Sequence, residues 1–361
     1  NLWKFDFTMG EVYGAEGYIA AFHDPADLDS DGRPAPRPLI AVRDRQGTPQ
    51  PITAQPTVTR PCSDTAEGVM VLFGTGWLDP ASDPGSETQS IYGIWDWQWF
   101  WRNNPILGVD PMRTDYGELG RHTEGGTRNL SNLNNLMGST DANKVGLLEQ
   151  TQQSFVGMNY SEKNDPRVLA GLAFSGEVEA IVEDPEDYTA YDQVVRTLSS
   201  RQINWLNPQA ISGGLMETAH IGWYFDLPFA DEQLASDPMV LDGVLYYSTS
   251  LWTEAECGID TSNRMMMAHD SCSGGATETI VFDLNGDRMM SSSDTVALYN
   301  LDGSLQGTSE QAAGFVSTNN VGEPTMIAGG DNDMLYVARY VSDQSGSSEE
   351  KLIEPGLQPQ I

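Results

Sequence analysis

Basic residues are scarce in this chain, which has 19 Lys and Arg against 52 Asp and Glu among its 361 residues. The resulting net charge of −33 creates a field that repels phosphate groups. This charge excludes nucleic acid and anionic lipid as partners. So many carboxylates are typical of a well solvated surface, as in a protein from a salty habitat, or of a protein that binds divalent cations.

Histidine motifs and long apolar runs are also missing. None of the four histidines lies in an HExxH motif or beside a serine in a nucleophile elbow, and no glycine-rich phosphate loop occurs. No apolar run approaches the length that spans a membrane, so no membrane span is predicted. The sequence therefore contains no motif that would identify it as an enzyme.

Cysteine is rare, and its count of three is odd. Cys257 and Cys272 are close enough in the sequence to close one loop, which predicts a disulfide between them. Cys62 is then left over.

Turn residues are abundant and divide the chain into short apolar runs, which is an all-β pattern. Three segments repeat one unit, a proline and then two strands joined by a turn: "QPTVTRPCSDTAEGVMVLFGTG" from Gln55, "DPMVLDGVLYYSTS" from Asp237 and "EPTMIAGGDNDMLYVARY" from Glu323. Third strands follow in "SIYGIWD", and in "TIVFDLNGD" and "VALYNLDGS". This order favours β-propeller blades, with three β-sandwich modules as the alternative.

One segment carries a metal-binding pattern. In "DLDSDG", carboxylates at alternate positions allow Asp27, Asp29 and Asp31 to converge on one cation, with calcium as the expected ion. Pro38 stands where an EF-hand-type loop would place its bidentate Glu, so a solvated turn is the alternative.

Four tryptophans alternate in "IWDWQWFW", which would place all of them on one side of an extended strand. That side could pack in the interior, form a stacking shelf for a cofactor, or dock on another protein. Packing is favoured for Trp95. A partner-binding role is the hypothesis for Trp97, Trp99 and Trp101.

Several strings, in a preserved order, resemble the PilC/PilY family of type IV pilus biogenesis and tip-adhesin proteins. "NLWKFDF" is similar to the family's "GNLWRFDL" strand, and "VLFGTGWLDPASDPGSETQSIYGIWD" to its "GTGRYL...D...QSLYGIWD" segment. "LLEQT", "VRTLSSRQINW" and "HIGWYFDLP" follow in order, and "DSCSGG" matches the family's "PCSxGG" region. The chain departs from the family after Asp96, where the aromatic run continues.

The resemblance implies a quinoprotein-like propeller of about seven blades in the complete domain, of which this chain would cover roughly the C-terminal half. Residues 1–96 and 146–361 would form blades, and residues 97–145 a long surface insertion. The family's calcium loop would lie upstream of residue 1, so its ligands cannot be assigned to this sequence.

The implied function is non-enzymatic. The protein would be extracellular, at the cell surface or pilus tip of a bacterium, where it would prime pilus assembly and bind host or abiotic surfaces, with calcium as a modulator. Its partners would be pilins or minor pilins. The alternative is a secreted quinoprotein-like dehydrogenase on the same fold.

Overall fold

The computed structural model describes residues 1–6, 19–20, 22–28, 34–62, 68–76, 88–96, 116, 118–123, 127–130, 145–157, 171–173, 193–205, 219–228, 232–251, 254–255, 258–259, 263–282, 295–296, 310–317, 321–327, 334–342 and 348–353. These residues form β-strands and no helix. The described residues therefore contain no apolar helix that could cross a membrane. The all-β prediction is confirmed.

The strands are, in chain order, β1 (Phe5–Asp6), β2 (Ile19–Ala20), β3 (Phe22–Leu28), β4 (Pro34–Arg37), β5 (Thr57–Thr59), β6 (Val69–Gly74), β7 (Ser90–Asp96), β8 (Leu119–Thr123), β9 (Thr127–Leu130), β10 (Val145–Glu149), β11 (Gln152–Gly157), β12 (Gly171–Ala173), β13 (Gln193–Leu198), β14 (Ala219–Asp226), β15 (Glu232–Leu234), β16 (Met239–Leu241), β17 (Val244–Leu251), β18 (Glu254–Ala255), β19 (Gly258–Ile259), β20 (Asn263–Asp270), β21 (Thr295–Val296), β22 (Glu310–Gln311), β23 (Gly314–Ser317), β24 (Val321–Ile327), β25 (Met334–Ser342) and β26 (Ser348–Ile353).

The first large sheet has seven strands in the order β5-β6-β7-β14-β10-β9-β8. Its first four strands run antiparallel, and Tyr92 of β7 lies opposite Tyr224 of β14. β14 then pairs in parallel with β10, which continues through β9 to β8. All seven residues of β7 are buried, which explains why this central strand is apolar on both faces rather than alternating.

The second large sheet has eight strands. They follow the path β12-β11-β13-β23-β20-β17-β15, and β16 also pairs with β17. β16 and β17 form a hairpin whose two turn residues, Asp242 and Gly243, both have positive φ (48° and 82°). These values match the tight hairpin turn that the Asp-Gly dipeptide predicts.

One hydrophobic core connects the two large sheets. Leu72 and Trp223 of the first sheet and Leu245 and Met267 of the second all belong to it. The smaller sheets are β1-β2, β3-β4, β18-β19, β21-β22 and β24-β25-β26.

The predicted units are confirmed in part. β5, β6 and β7 are the three strands expected from Gln55 onward, β16 and β17 those from Asp237, and β24 and β25 those from Glu323. The third strand of the second unit is placed wrongly by the prediction. β20 occupies that position, whereas Thr279–Phe282 of "TIVFDLNGD" do not form a strand.

The predicted surface insertion, residues 97–145, contains β8 and β9, which pair within the seven-stranded sheet. Leu119 and Leu130 of these strands are buried in the core. This part of the segment is therefore core sheet rather than surface insertion. The domain boundaries at 96 and 146 stay a prediction.

Candidate functional site

A buried arginine of the seven-stranded sheet lies on β9, next to the edge strand β8. Arg128 of β9 is fully buried, and its guanidinium lies 4.0 Å over the Tyr224 ring. It donates to Asp226 Oδ1 at 2.9 Å and to the Tyr92 hydroxyl. A buried cation is tolerated because a carboxylate and aromatic faces replace its hydration.

Asp226 collects hydrogen bonds from three sides. In addition to Arg128, it accepts from Ser90 Oγ at 2.6 Å and from Arg45 Nε at 2.8 Å. Burial raises the pKa of Asp226, but the Arg128 charge, the Ser90 hydroxyl and Arg45 outweigh burial and hold that pKa below its usual value. The carboxylate is therefore ionised throughout the neutral range.

The eight-stranded sheet contains a second buried ion pair. Arg196 of β13 donates to both carboxylate oxygens of Glu232, at 2.6 and 2.7 Å, and both side chains are almost fully buried. Thr249 Oγ1 donates to Glu232 Oε1 at 2.5 Å. This bidentate geometry fixes β13 against β15 and β17.

Between the sheets, aromatic rings enclose a histidine. His269 of β20 lies edge-on to Trp223, Phe225 and Tyr247, with ring centroids 5.2 to 5.6 Å apart. Burial lowers the pKa of His269 to about 4, so the ring is neutral at pH 7.

A turn next to this histidine binds elements of both sheets. The Asp270 carboxylate accepts from the backbone N–H groups of Cys272 and Ser273, at 3.1 and 2.5 Å. Trp223 Nε1 donates to the Ser271 carbonyl, and Gln150 Nε2 to the Ser273 carbonyl. We call residues Asp270–Gly275, together with Gln150 and Trp223, the inter-sheet junction.

Two glycines make room for Trp223. A Cβ atom at Gly93 of β7 would lie 2.4 Å from the Trp223 ring, and one at Gly274 would lie 2.3 Å from it. The ring is therefore enclosed between two backbone segments that only glycine allows to approach so closely.

The predicted disulfide is wrong, because Cys272 is bonded to Cys62. The Cα atoms of Cys62 and Cys272 lie 5.3 Å apart, within the roughly 7 Å that a disulfide allows. Cys62 follows β5 of the seven-stranded sheet and Cys272 follows β20 of the eight-stranded sheet, so packing of the two sheets brings together cysteines that are 210 positions apart. Cys257 lies outside the described residues.

The metal and partner predictions mostly fall outside the described residues. Asp27 lies in β3, whereas Asp29 and Asp31 are not among the residues described. Across the described ranges, no group of three or more His, Cys, Asp or Glu side chains is arranged to hold a metal. The calcium site stays a prediction.

Trp95 is buried and meets the Trp205 ring edge-on at 6.0 Å, which confirms its predicted packing role. Trp97, Trp99 and Trp101 lie outside the described residues, so their partner-binding role stays a prediction.

Four of the motifs that carry the family resemblance meet at or beside the inter-sheet junction. "YGIWD" supplies β7, "LLEQT" supplies Gln150, "HIGWYFDLP" supplies Trp223, and "DSCSGG" supplies the turn. Sequence reasoning missed the buried charges at Arg128, Arg196 and their carboxylate partners. One available signal was an arginine inside an otherwise strand-like segment of a chain with few basic residues.

Comparison with known proteins gives a family match over residues 1–101, to the PilY1 beta-propeller domain. The type IV pilus biogenesis factor PilY1 of Pseudomonas aeruginosa strain PAO1 is 24% identical over 342 residues, which cover 92% of this chain and 23% of that protein. PilY1 of strain UCBPP-PA14 is 35% identical over 107 residues, covering 27% of this chain and 9% of the relative. The chain thus spans about a quarter of the length of the first of these relatives.

Among solved structures, the crystal structure of the Pseudomonas aeruginosa PilY1 C-terminal domain matches with a TM-score of 0.51 at 20% identity. The match covers 93% of this chain and 49% of that chain. Together with the family match, this similarity confirms the predicted β-propeller fold. The resemblance to the PilC/PilY family is confirmed as well, because the chain is similar to the PilY1 type IV pilus biogenesis factors over nearly its whole length.

Proposed function

We propose that this chain is part of an extracellular component of a bacterial type IV pilus system. In this role the protein primes pilus assembly and binds surfaces from the pilus tip. The observation that carries the proposal is that four of the family motifs, in their family order, meet at or beside the inter-sheet junction of a fold similar to the PilY1 C-terminal domain. Because these motifs pack against one another, their presence in both this chain and the family supports a common fold. The similar proteins are named as type IV pilus biogenesis factors.

The proposed role is non-enzymatic. The buried arginines are neutralised by carboxylates, and the junction side chains hold backbone groups, which supports a rigid scaffold for binding. The Cys62–Cys272 disulfide supports an extracellular location, because such bonds persist in oxidising compartments. The proposed partners are pilins or minor pilins, together with a host or abiotic surface.

The central test is genetic. Deleting the gene in its own bacterium should remove surface pili, and the wild-type gene should restore both pili and surface attachment. Unchanged piliation and attachment after deletion would contradict the proposal. A quinone absorbance band in the purified complete protein would instead favour a dehydrogenase.

The tryptophan run tests the binding role more locally. Changing Trp97, Trp99 and Trp101 to Ala in the complete protein should leave the melting temperature nearly unchanged and reduce piliation or attachment, because aromatic side chains concentrate interface energy. Trp95→Ala is the matched control and should lower the melting temperature, since Trp95 is buried. If the triple variant loses stability like the control, these tryptophans belong to the core.

A calcium site is proposed at Asp27, Asp29 and Asp31, separate from the family's calcium loop. The complete protein should bind calcium in preference to magnesium, and changing these three residues to Asn should remove one bound calcium per molecule in a calorimetric titration. Unchanged stoichiometry would contradict a calcium site at these three residues.

A further inference from the structure

The ends of the disulfide belong to different sheets. Cys62 follows β5 of the seven-stranded sheet, and Cys272 lies in the turn that follows β20 of the eight-stranded sheet. The two residues are 210 positions apart in the sequence, and their Cα atoms are 5.3 Å apart. The bond therefore connects the two sheets covalently at the inter-sheet junction.

Besides this bond, a small set of hydrogen bonds connects the turn to its neighbours. The Ser271 carbonyl accepts from Trp223 Nε1 at 3.1 Å, and the Ser273 carbonyl accepts from Gln150 Nε2 at 2.9 Å. Gly274 must take a positive φ of 70° against the Trp223 ring. These contacts hold the turn against Gln150 and the Trp223 ring.

The two cysteines differ from their surroundings in exposure. Cys62 and Cys272 are half-buried, whereas Ser271, Gly274 and Gly275 beside them are buried. A half-buried disulfide is more accessible to a small thiol than a fully buried one.

We propose that the Cys62–Cys272 bond is a redox-controlled latch. Oxidation closes the Asp270–Gly275 turn onto Trp223 and Gln150, and reduction releases the turn while both large sheets keep their strand pairing. This inference rests on the disulfide and its contacts and does not depend on the proposed function.

The chemistry of the latch is thiol–disulfide exchange. In closing, one cysteine thiolate attacks the disulfide of an oxidant such as oxidised glutathione and forms a mixed disulfide, releasing one thiol. The second cysteine thiolate then displaces the remaining thiol. The protein loses two electrons and two protons, and the oxidant gains them as two thiols. Dithiothreitol reverses these steps and ends as a cyclic disulfide.

The strand ladders explain why reduction should act locally. β17 and β20 remain paired from Val244 to Leu251, and β7 and β14 from Ser90 to Ile94, and none of these pairs involves a cysteine. The core residues that the two sheets share also remain buried. Only the turn loses its covalent anchor.

Hydrogen exchange of the complete protein, followed by mass spectrometry, tests the latch. With dithiothreitol, peptides that cover residues 270–275 should exchange about tenfold faster or more, while peptides from 244–251 and 263–269 keep their protection. Re-oxidation with oxidised glutathione should restore the original pattern.

Matched variants complete the test. The double variant Cys62→Ser, Cys272→Ser should show fast exchange in the turn without reductant. Cys257→Ser is the control and should behave like the wild type, including its response to dithiothreitol. Slow exchange in the reduced turn would overturn the proposal, as would loss of protection throughout the strands, or peptide mapping that joins Cys272 to Cys257.

Discussion

Arg128 and Arg196 are among the largest side chains that this protein buries completely. In a chain with only 19 basic residues, placing two arginines in the interior leaves fewer to balance the acidic surface. Each is held by a carboxylate, Asp226 or Glu232. Such pairs add little net stability over apolar residues of the same size, but removing one partner is costly because a buried charge is left uncompensated.

Glu232→Gln should therefore lower the free energy of unfolding by about 3 to 5 kcal/mol, measured by urea denaturation. Glu118→Gln is the matched control. Glu118 also pairs with an arginine, Arg43 at 3.0 Å, but its side chain is 61% exposed, so its loss should cost less than about 1 kcal/mol. Equal costs for the two variants would contradict the assignment of Glu232 to a buried pair.

Two buried histidines predict sensitivity to acid. Burial lowers the pKa of His269 to about 4, and burial together with the Arg201 charge lowers the pKa of His220 to about 4. The unfolded chain, with histidine pKa values near 6.5, binds more protons than the folded protein between pH 6.5 and 4. Stability is therefore full above pH 6.5 and falls as the pH drops towards 4, by up to about 3 kcal/mol for each histidine.

Denaturation curves at pH 7, 5.5 and 4 measure this loss. His269→Phe keeps an aromatic ring in the cluster and removes the titrating group, so between pH 7 and 4 it should lose up to about 3 kcal/mol less stability than the wild type. The Asp226 carboxyl does not obscure the result. Its folded pKa is lowered, so its contribution is lost only as the pH falls below its ordinary value near 3.8. A stability difference between His269→Phe and the wild type that stays constant from pH 7 to 4 would contradict the prediction.

At the level of strands and turns, sequence patterns predicted those elements that neighbouring residues determine. The Asp-Gly dipeptide indicated the β16–β17 hairpin, and the apolar runs indicated β6 and β7. The sequence could not locate β20, because "NRMMMAHD" lacks the β-branched residues and the alternation that mark a strand. The third strand of this unit was predicted at the nearby apolar run "TIVF" instead.

The candidate site was less predictable than the strands, because its contacts join distant parts of the chain. Arg128 meets Asp226 across 98 positions, and Cys62 meets Cys272 across 210. Spacing along the sequence favoured Cys257 as the partner of Cys272, since a short loop is easy to close. Cys62 and Cys272 meet because the two large sheets pack together, which nothing in the cysteine spacing reveals.

The β16–β17 turn allows a test of backbone strain alone. Gly243 has a φ of 82°, and a Cβ atom there would meet nothing within 4 Å. Gly243→Ala should therefore lower the free energy of unfolding by about 1 to 2 kcal/mol without any clash. Gly243→Asn should cost less, because asparagine tolerates this backbone region better. Equal urea midpoints for Gly243→Ala and the wild type would show that the turn relaxes to another conformation.

Across the whole molecule, the charge of −33 opposes folding, because compaction brings like charges together. Basic side chains that could relieve this repulsion are engaged in specific pairs, such as Lys4 with Asp96 at 2.5 Å and Arg45 with Asp226 at 2.8 Å. The remaining acidic surplus must be screened by solvent ions.

Salt should therefore raise the melting temperature by several degrees between 0.05 and roughly 1 M NaCl, where the screening length falls to about 3 Å. Two effects compete. Screening weakens exposed pairs such as Arg43 with Glu118, but these contribute less than about 1 kcal/mol each, whereas repulsion acts on the entire acidic surface. Buried pairs such as Arg196 with Glu232 are screened much less.

Differential scanning fluorimetry across the salt series measures the shift in melting temperature. A series with calcium chloride at matched ionic strength separates specific cation binding, which adds a shift beyond that of NaCl, from screening, which does not. A melting temperature that falls with NaCl would show that ion pairs, rather than acidic repulsion, dominate the electrostatic free energy of this fold.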